Sequence, residues 1–134
     1  MTTVEILRRV RILERLPDDD LARIADLATE VEFPAGHVLT ETGQVGGGMF
    51  ILLDGVVKVH GRAMKELGAG EVIGELALFR SDRRRIARVQ AVTPVRCLAI
   101  ARDPFRALIA SDVHLAIALI ETLADRVPDR HTGR

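Results

Sequence analysis

Apolar residues recur at helical intervals in the first thirty positions, at alternate positions through the middle, and at helical intervals again after residue 103. Ile6, Val10 and Leu13 follow the spacing of one helix face, Arg8, Arg9 and Arg15 lie elsewhere on the wheel, and Thr2 and Glu5 stand at capping-box spacing. A first helix is expected over residues 3–15. Pro17 and the acids Asp18, Asp19 and Asp20 suit the start of a second, over 18–29, with Leu21, Ile24, Ala25 and Ala28 as its apolar side.

From Val31 the period shortens to two, and Val31 to Phe33, the turn at Pro34 to Gly36, and His37 to Thr40 read as strand, turn, strand. Met49 to Leu53, Asp54-Gly55 and Val56 to His60 predict a hairpin with an Asp-Gly turn. Gly43 to Gly48 lacks the Lys-Ser/Thr of a phosphate loop and runs into a strand, so a flexible turn is expected there. Gly61 returns the chain through Met64 to Leu67, and a strand follows at Val95 to Ile100. Asp103-Pro104 is expected to start a helix over 103–110, and Asp112 to cap another over 112–127 that Pro128 stops. In that last helix Val113, Ala116, Ile117, Ile120, Ala124 and Val127 form one apolar stripe, and Leu115, Leu119 and Leu123 a second. That exceeds what one contact needs. Burial between the strands and the N-terminal helices, self-association, and a ligand lid all remain open. Short strands spaced by glycine turns suggest a small antiparallel roll or barrel between helical ends.

At 134 residues, 48% hydrophobic and 28% charged, the chain suits a single globular domain over 1–134. Lys plus Arg and Asp plus Glu both number 19, so no broad basic field points to nucleic acid or anionic membrane. No apolar run approaches the ~18 residues of a membrane span, and the Met1 region lacks a secretory stretch, so a cytoplasmic protein is expected. Cys97 is the single cysteine, in a strand-like run where a buried apolar role fits. His37, His60, His114 and His131 are scattered without ligand spacing, so no metal is expected. With two serines and no interpretable nucleophile, base or carboxylate pair, the chain reads as a binder rather than an enzyme.

The candidate chemistry lies between Glu71 and Val92. Gly74 lets backbone N–H groups approach a ligand closely, and Leu76 to Phe79 are enough for one helical turn. The first donors of such a turn lack internal partners and favour an anion. Glu75 would be repelled by that anion unless it turns aside to accept from neutral hydroxyls, as acidic residues do with ribose. Arg85, Ala87, Val89 and Ala91 alternate with Ile86, Arg88 and Gln90, as in a strand with one small, apolar inward face. Arg85 heads that face, where a planar guanidinium suits phosphate. The bland alternative for Arg85, which sits in an arginine-rich loop with Arg80, Arg83, Arg84 and Arg88, is a salt bridge at a strand start.

Gly74-Glu75-Leu76-Ala77-Leu78-Phe79, a short loop, then Arg85-x-Ala87-x-Val89-x-Ala91 resembles the phosphate-binding cassette of the cyclic-nucleotide-binding domain family, in the form found in bacterial catabolite activators and in regulatory subunits of cAMP-dependent protein kinases. The turns Phe33-Pro34-Ala35-Gly36 and Ile51-Leu52-Leu53-Asp54-Gly55 resemble that family's too. The resemblance implies an α+β, mainly β fold. It would be an antiparallel β-roll or jelly-roll of the double-stranded β-helix type over 30–100, with a short cassette helix at 75–80 and helices at both ends. It implies that Arg85 pairs with a cyclic phosphate, that N–H groups of Leu76, Ala77 and Ile86 complete the cradle beside Gly74, that Glu75 holds the ribose 2′-hydroxyl, and that Val59 and Met64 wall the base. Ile86 stands where relatives usually carry Ser, Thr or Ala, and Thr there favours cGMP in some of them. The ligand expected is therefore cAMP ahead of cGMP.

The hairpin between Lys58 and Glu66 is shorter than in the activators, which opens the base side. The implied function is a cyclic-nucleotide sensor that signals by movement of its C-terminal helices. The alternatives are a degenerate fold used for protein contacts and a fragment of a transcription regulator. In the activators the last helix continues as a dimer coil toward a DNA-binding domain. Here six residues follow Pro128, so no DNA-binding domain is expected in the chain, and a homodimer or effector contact falls to helix 112–127.

Overall fold

Two four-stranded antiparallel sheets face each other, and nearly every turn carries the chain from one to the other. The computed structural model describes residues 1–125 apart from 83 and 86. Its strands are β1 (Ala28–Phe33), β2 (Val38–Thr40), β3 (Gly48–Asp54), β4 (Val57–His60), β5 (Lys65–Leu67), β6 (Val72–Ile73), β7 (Arg88–Ala91) and β8 (Val95–Ala101). One sheet has the order β1-β8-β3-β6 and the other β2-β7-β4-β5. Helices α1 (Thr3–Arg8) and α2 (Asp18–Ala25) precede the roll, and α3 (Arg102–Ala110) and α4 (Val113–Asp125) follow it.

The expected hairpin at Asp54-Gly55 is absent, because β3 and β4 belong to different sheets. β3 is apolar on both faces. Met49 and Ile51 pack toward the helices, and Leu52 packs between the sheets. A strand buried on both faces gains most at the centre of a sheet, and β3 takes β8 and β6 as its two neighbours. Gly55, at φ +96°, turns the chain tightly against the carbonyl of Pro94, and the Val56 N–H donates to Thr93 Oγ1 at 3.0 Å. Val57 then pairs with Ala91 and Leu67 in the opposite sheet. The neighbouring expectation holds: β4 and β5 form a hairpin with Lys58 opposite Glu66.

The helical ends differ from expectation in length. Thr2 and Glu5 form the full capping box, but α1 stops at Arg8 rather than at 15. Residues 9–16 continue as successive tight turns, in which Val10, Leu13 and Leu16 each donate to the carbonyl three residues back. These turns bury Val10, Ile12, Leu13 and Leu16 together, which one straight helix face does not allow. Helix α2 ends four residues before 29, because Ala28 and Thr29 pair with Ile100 and Ala99 in the first sheet. Helix α3 begins at Arg102 with Ala101 as its cap, so Asp103 lies inside the first turn rather than capping it. Asp112 does cap α4, accepting from the Leu115 N–H at 3.0 Å. The last two residues expected in that helix lie outside the described residues.

Two apolar clusters follow. The larger joins Leu7, Leu13, Leu21 and Ile24 of the N-terminal region to Ile51 and Ile100 of the first sheet and to Phe105, Leu115 and Leu119 of α3 and α4. The smaller fills the roll with Leu52, Val57, Ile73, Val89, Ala91, Val95 and Cys97. Of the two stripes on α4, Leu115 and Leu119 are buried, whereas Val113 (67%), Ile117 (48%) and Ile120 (63%) are exposed. Among the described residues no single helix is long and apolar enough to cross a membrane.

Candidate functional site

At one end of the roll the interior opens into a cavity of about 280 Å³. Val59, Leu67, Val72, Ile73, Ala87 and Val89 line its apolar part, and Gly74 to Ala77 form its rim. The strand pattern explains the apolar wall, since alternate residues of β4 and β7 point inward and small Ala87 leaves room.

The rim is built by a glycine and one tight turn. Gly74 sits at φ +75°, a left-handed conformation that costs a residue with a Cβ roughly 1–2 kcal/mol. It precedes a 3-10 helix over Glu75–Leu78, shorter than the expected 75–80. The Ala77 N–H closes this turn on the Gly74 carbonyl at 3.0 Å. That amide is thereby engaged, while the Leu76 N–H precedes the first bond of the turn. Leu76 is 45% exposed at the mouth, and Ala77 is buried. Glu75 lines the cavity beside them and is half-buried.

Arg85 approaches from the opposite side. Its backbone is fixed by the loop after β2: Arg85 N donates to Gln44 O at 2.7 Å, and Gly43 N donates to Arg85 O at 2.9 Å. Its guanidinium lies in a slot between two glycines. A Cβ on Gly74 would collide with Nη1, and one on Gly46 with Nε. Nη2 donates to the Gly48 carbonyl at 2.6 Å. Nη1 is buried and has no hydrogen-bond partner among the described residues. Burial pushes the pKa of this guanidinium below its ordinary value, because the charged form has lost water without gaining an opposite charge. A half-buried cation with one unpaired donor beside a cavity is an anion receptor in chemical terms.

Among the described residues, Arg80, Arg84 and Arg85 line the cavity with the carboxylates Glu75 and Asp82. Arg84 is occupied: its Nη1 donates to Gly43 O at 2.8 Å, and its backbone N–H to the Asp82 carboxylate at 2.9 Å. Thr40, buried on the cavity wall, donates its hydroxyl to Ala87 O at 2.9 Å.

The structure therefore brings Gly74, Glu75, Leu76, Ala77, Arg85 and Val59 to one cavity. Met64 is not among the lining residues. It lies at the tip of the short β4–β5 hairpin with 55% of its surface exposed, and Leu67, Val72 and Val89 supply the wall expected of it. Ile86 lies outside the described residues. Residues missed from sequence are Gly46 and Gly48, which hold the arginine; the run of three glycines entering a strand signals close backbone approach rather than flexibility.

The family model described as the cyclic nucleotide-binding domain matches residues 30–112. The chain is 28% identical over 130 residues to a CRP-like cAMP-activated global transcriptional regulator of Mycobacterium tuberculosis, an alignment covering 92% of this chain and 58% of the other. It is 34% identical over 107 residues to cGMP-dependent protein kinase 2 of Homo sapiens, covering 74% of this chain and 14% of the kinase. The chain thus spans just over half the length of the first relative and a small part of the second. Among solved structures, the N-terminal domain of a transcriptional regulator from Streptomyces coelicolor A3(2) superposes with a TM-score of 0.79 at 29% identity, covering 90% of this chain and 89% of that one.

Proposed function

The chain belongs to the cyclic nucleotide-binding domain family, and we propose that its cavity receives a cyclic purine mononucleotide, cAMP in preference to cGMP, as a regulatory signal in the cytoplasm without turning it over. One observation carries the reading: Arg85 lines the cavity with its guanidinium held between Gly74 and Gly46, and its Nη1 is buried without a hydrogen-bond partner among the described residues. An equatorial phosphate oxygen supplies the missing acceptor. The Leu76 N–H donates to the same phosphate from the start of its turn. Glu75 accepts from the ribose hydroxyl, and Val59, Leu67, Val72 and Val89 pack on the base. The sequence has isoleucine at 86, without the hydroxyl of the Thr that favours cGMP in some relatives, which favours cAMP.

Binding acts on the rest of the chain by drawing the Gly74–Leu78 turn toward the phosphate and shifting α3 and α4, since a ligand moves an equilibrium only through differential contacts. The outer face of α4 supports a further step. Val113, Ile117, Ile120 and Ala124 are exposed at intervals of four, three and four, the spacing of a coiled-coil seam. A second copy of the chain, presenting the same seam, is the partner this face fits.

Replacing Arg85 with Ala tests the reading. Loss of a desolvated charge pair to phosphate costs about 2–5 kcal/mol of binding, a weakening of about thirtyfold to a few thousandfold. Titration of cAMP into both proteins is expected to show that loss. Equal affinities would place the phosphate elsewhere.

A further inference from the structure

The tight turn that rims the cavity ends in four consecutive carbonyls, and two arginines of α3 hold all four. Arg102 Nη1 donates to Ala77 O at 2.6 Å and to Arg80 O at 2.7 Å. Arg106 Nη1 donates to Leu78 O at 3.1 Å and to Phe79 O at 3.4 Å. Residues four apart on a helix share one face, so the two guanidiniums form a single clamp. Cations suit this place, because the end of a helical turn exposes carbonyls with partial negative charge. Phe79 packs edge-on against Phe105, between the two arginines in sequence, with ring centroids 5.6 Å apart. The backbone of Arg102 also reaches the segment that holds Arg85: its N–H donates to Gly47 O at 2.7 Å, one residue before the carbonyl that accepts from Arg85.

Arg102 is only 6% exposed and lies at the start of α3, not in the cavity. Its position gives it a connecting role. We propose that Arg102 and Arg106 are positioning residues that make α3 and the cavity rim one mechanical unit, so that a displacement of the rim moves α3, and loosening α3 loosens the rim. The ligand that drives the displacement is the one named above, and to that extent the proposal rests on that reading. The coupling itself is reciprocal and is measurable without any ligand.

The test uses amide hydrogen exchange on the full chain in two arms. In the ligand-free arm, α3 is loosened by Ala107→Gly at an exposed helical position, in the wild-type background and with R102K/R106A. The readout is the exchange of the Ala77, Phe79 and Arg80 amides, which bond within the rim turn. The expected result is a rise of up to about fivefold in the wild-type background and no rise when the clamp is replaced. Unchanged rim exchange in the wild-type background, or the same rise in both, would overturn the proposal. A clamp that served only to stabilise the fold would change baseline rates without changing this difference.

In the second arm cAMP is added at saturation, as judged by calorimetry. The clamp variant is expected to bind within about threefold of wild type, under 0.7 kcal/mol, while losing the ligand-dependent change in exchange of residues 103–125. A variant that keeps that change would refute the clamp. If R102K/R106A does not fold by its melting curve, R106A alone, with its side chain at the surface, is expected to reduce both responses; full responses in R106A would again refute it. Absence of nucleotide binding in the wild type would sink the ligand reading and leave the clamp to be decided by the first arm.

Discussion

Replacing Gly74 with Ala strikes the cavity without touching a charged group. At φ +75° a Cβ costs about 1–2 kcal/mol in backbone strain. The same Cβ collides with Arg85 Nη1, so the guanidinium must leave its slot and give up its bond to Gly48 O. A hydrogen bond from a charged donor contributes about 1.5–3 kcal/mol. Together the change is expected to destabilise the chain by about 2.5–5 kcal/mol, a fall in Tm of about 9–18 °C for a domain of this size. Binding of cAMP is expected to weaken as far as in Arg85→Ala, because the same cation has been displaced.

The decisive comparison is the cycle with Arg85→Ala. Without the guanidinium, the nearest atom left to a Cβ at 74 is Gly48 O at 3.3 Å, so the cost falls to little more than the strain, about 1–2 kcal/mol, and affinity drops no further. Urea unfolding and calorimetric titration of the four proteins supply both sets of numbers. A Gly74→Ala protein that binds as tightly as wild type would refute the slot. So would losses of affinity that multiply in the double variant.

Two further outcomes concern other parts of the fold. Ile117→Lys and Ile120→Lys, on the exposed seam of α4, are expected to leave the melting temperature within about 2 °C, as for surface substitutions, and to shift sedimentation from dimer to monomer; a wild-type chain that is monomeric at 100 µM would dismiss the seam as a self-contact. Cys97 is fully buried and its pKa is pushed up to about 11 by desolvation. Ellman's reagent is expected to react with it only when urea is added, and stability is expected to fall as pH rises above the ordinary thiol range of about 8.5, where the unfolded thiol ionises and the folded one does not.

Much of the roll is legible because its signals are local. The capping box at Thr2 and Glu5, the short β4–β5 hairpin and the cap at Asp112 are settled by residues a few positions apart. The errors arise where a distant partner decides. Asp54-Gly55 has the chemistry of a hairpin turn, yet β8 and β6 compete for β3, and a doubly apolar strand goes to the sheet centre. The tail of the expected second helix is drawn into β1 by its pairing with β8. Met64 reads as a wall residue by proximity in sequence, but the two-sheet geometry turns the hairpin tip outward and brings Leu67 to the cavity instead. In the site, the motif residues Gly74, Glu75, Leu76, Ala77 and Arg85 were visible because they lie within one short stretch. Gly46 and Gly48, which hold the arginine, and the arginines that hold the rim lie 22 or more positions from the groups they serve and carry no motif.

The central claim is that the cavity holds a cyclic phosphate on Arg85. Isothermal titration of the purified chain with cAMP, cGMP and 5′-AMP addresses it most directly. Saturable 1:1 binding of cAMP, weaker binding of cGMP and none of 5′-AMP at the same concentrations is the expected result. No heat with either cyclic nucleotide, together with an unchanged melting temperature at millimolar ligand, would contradict the account and leave the fold as a platform for protein contacts.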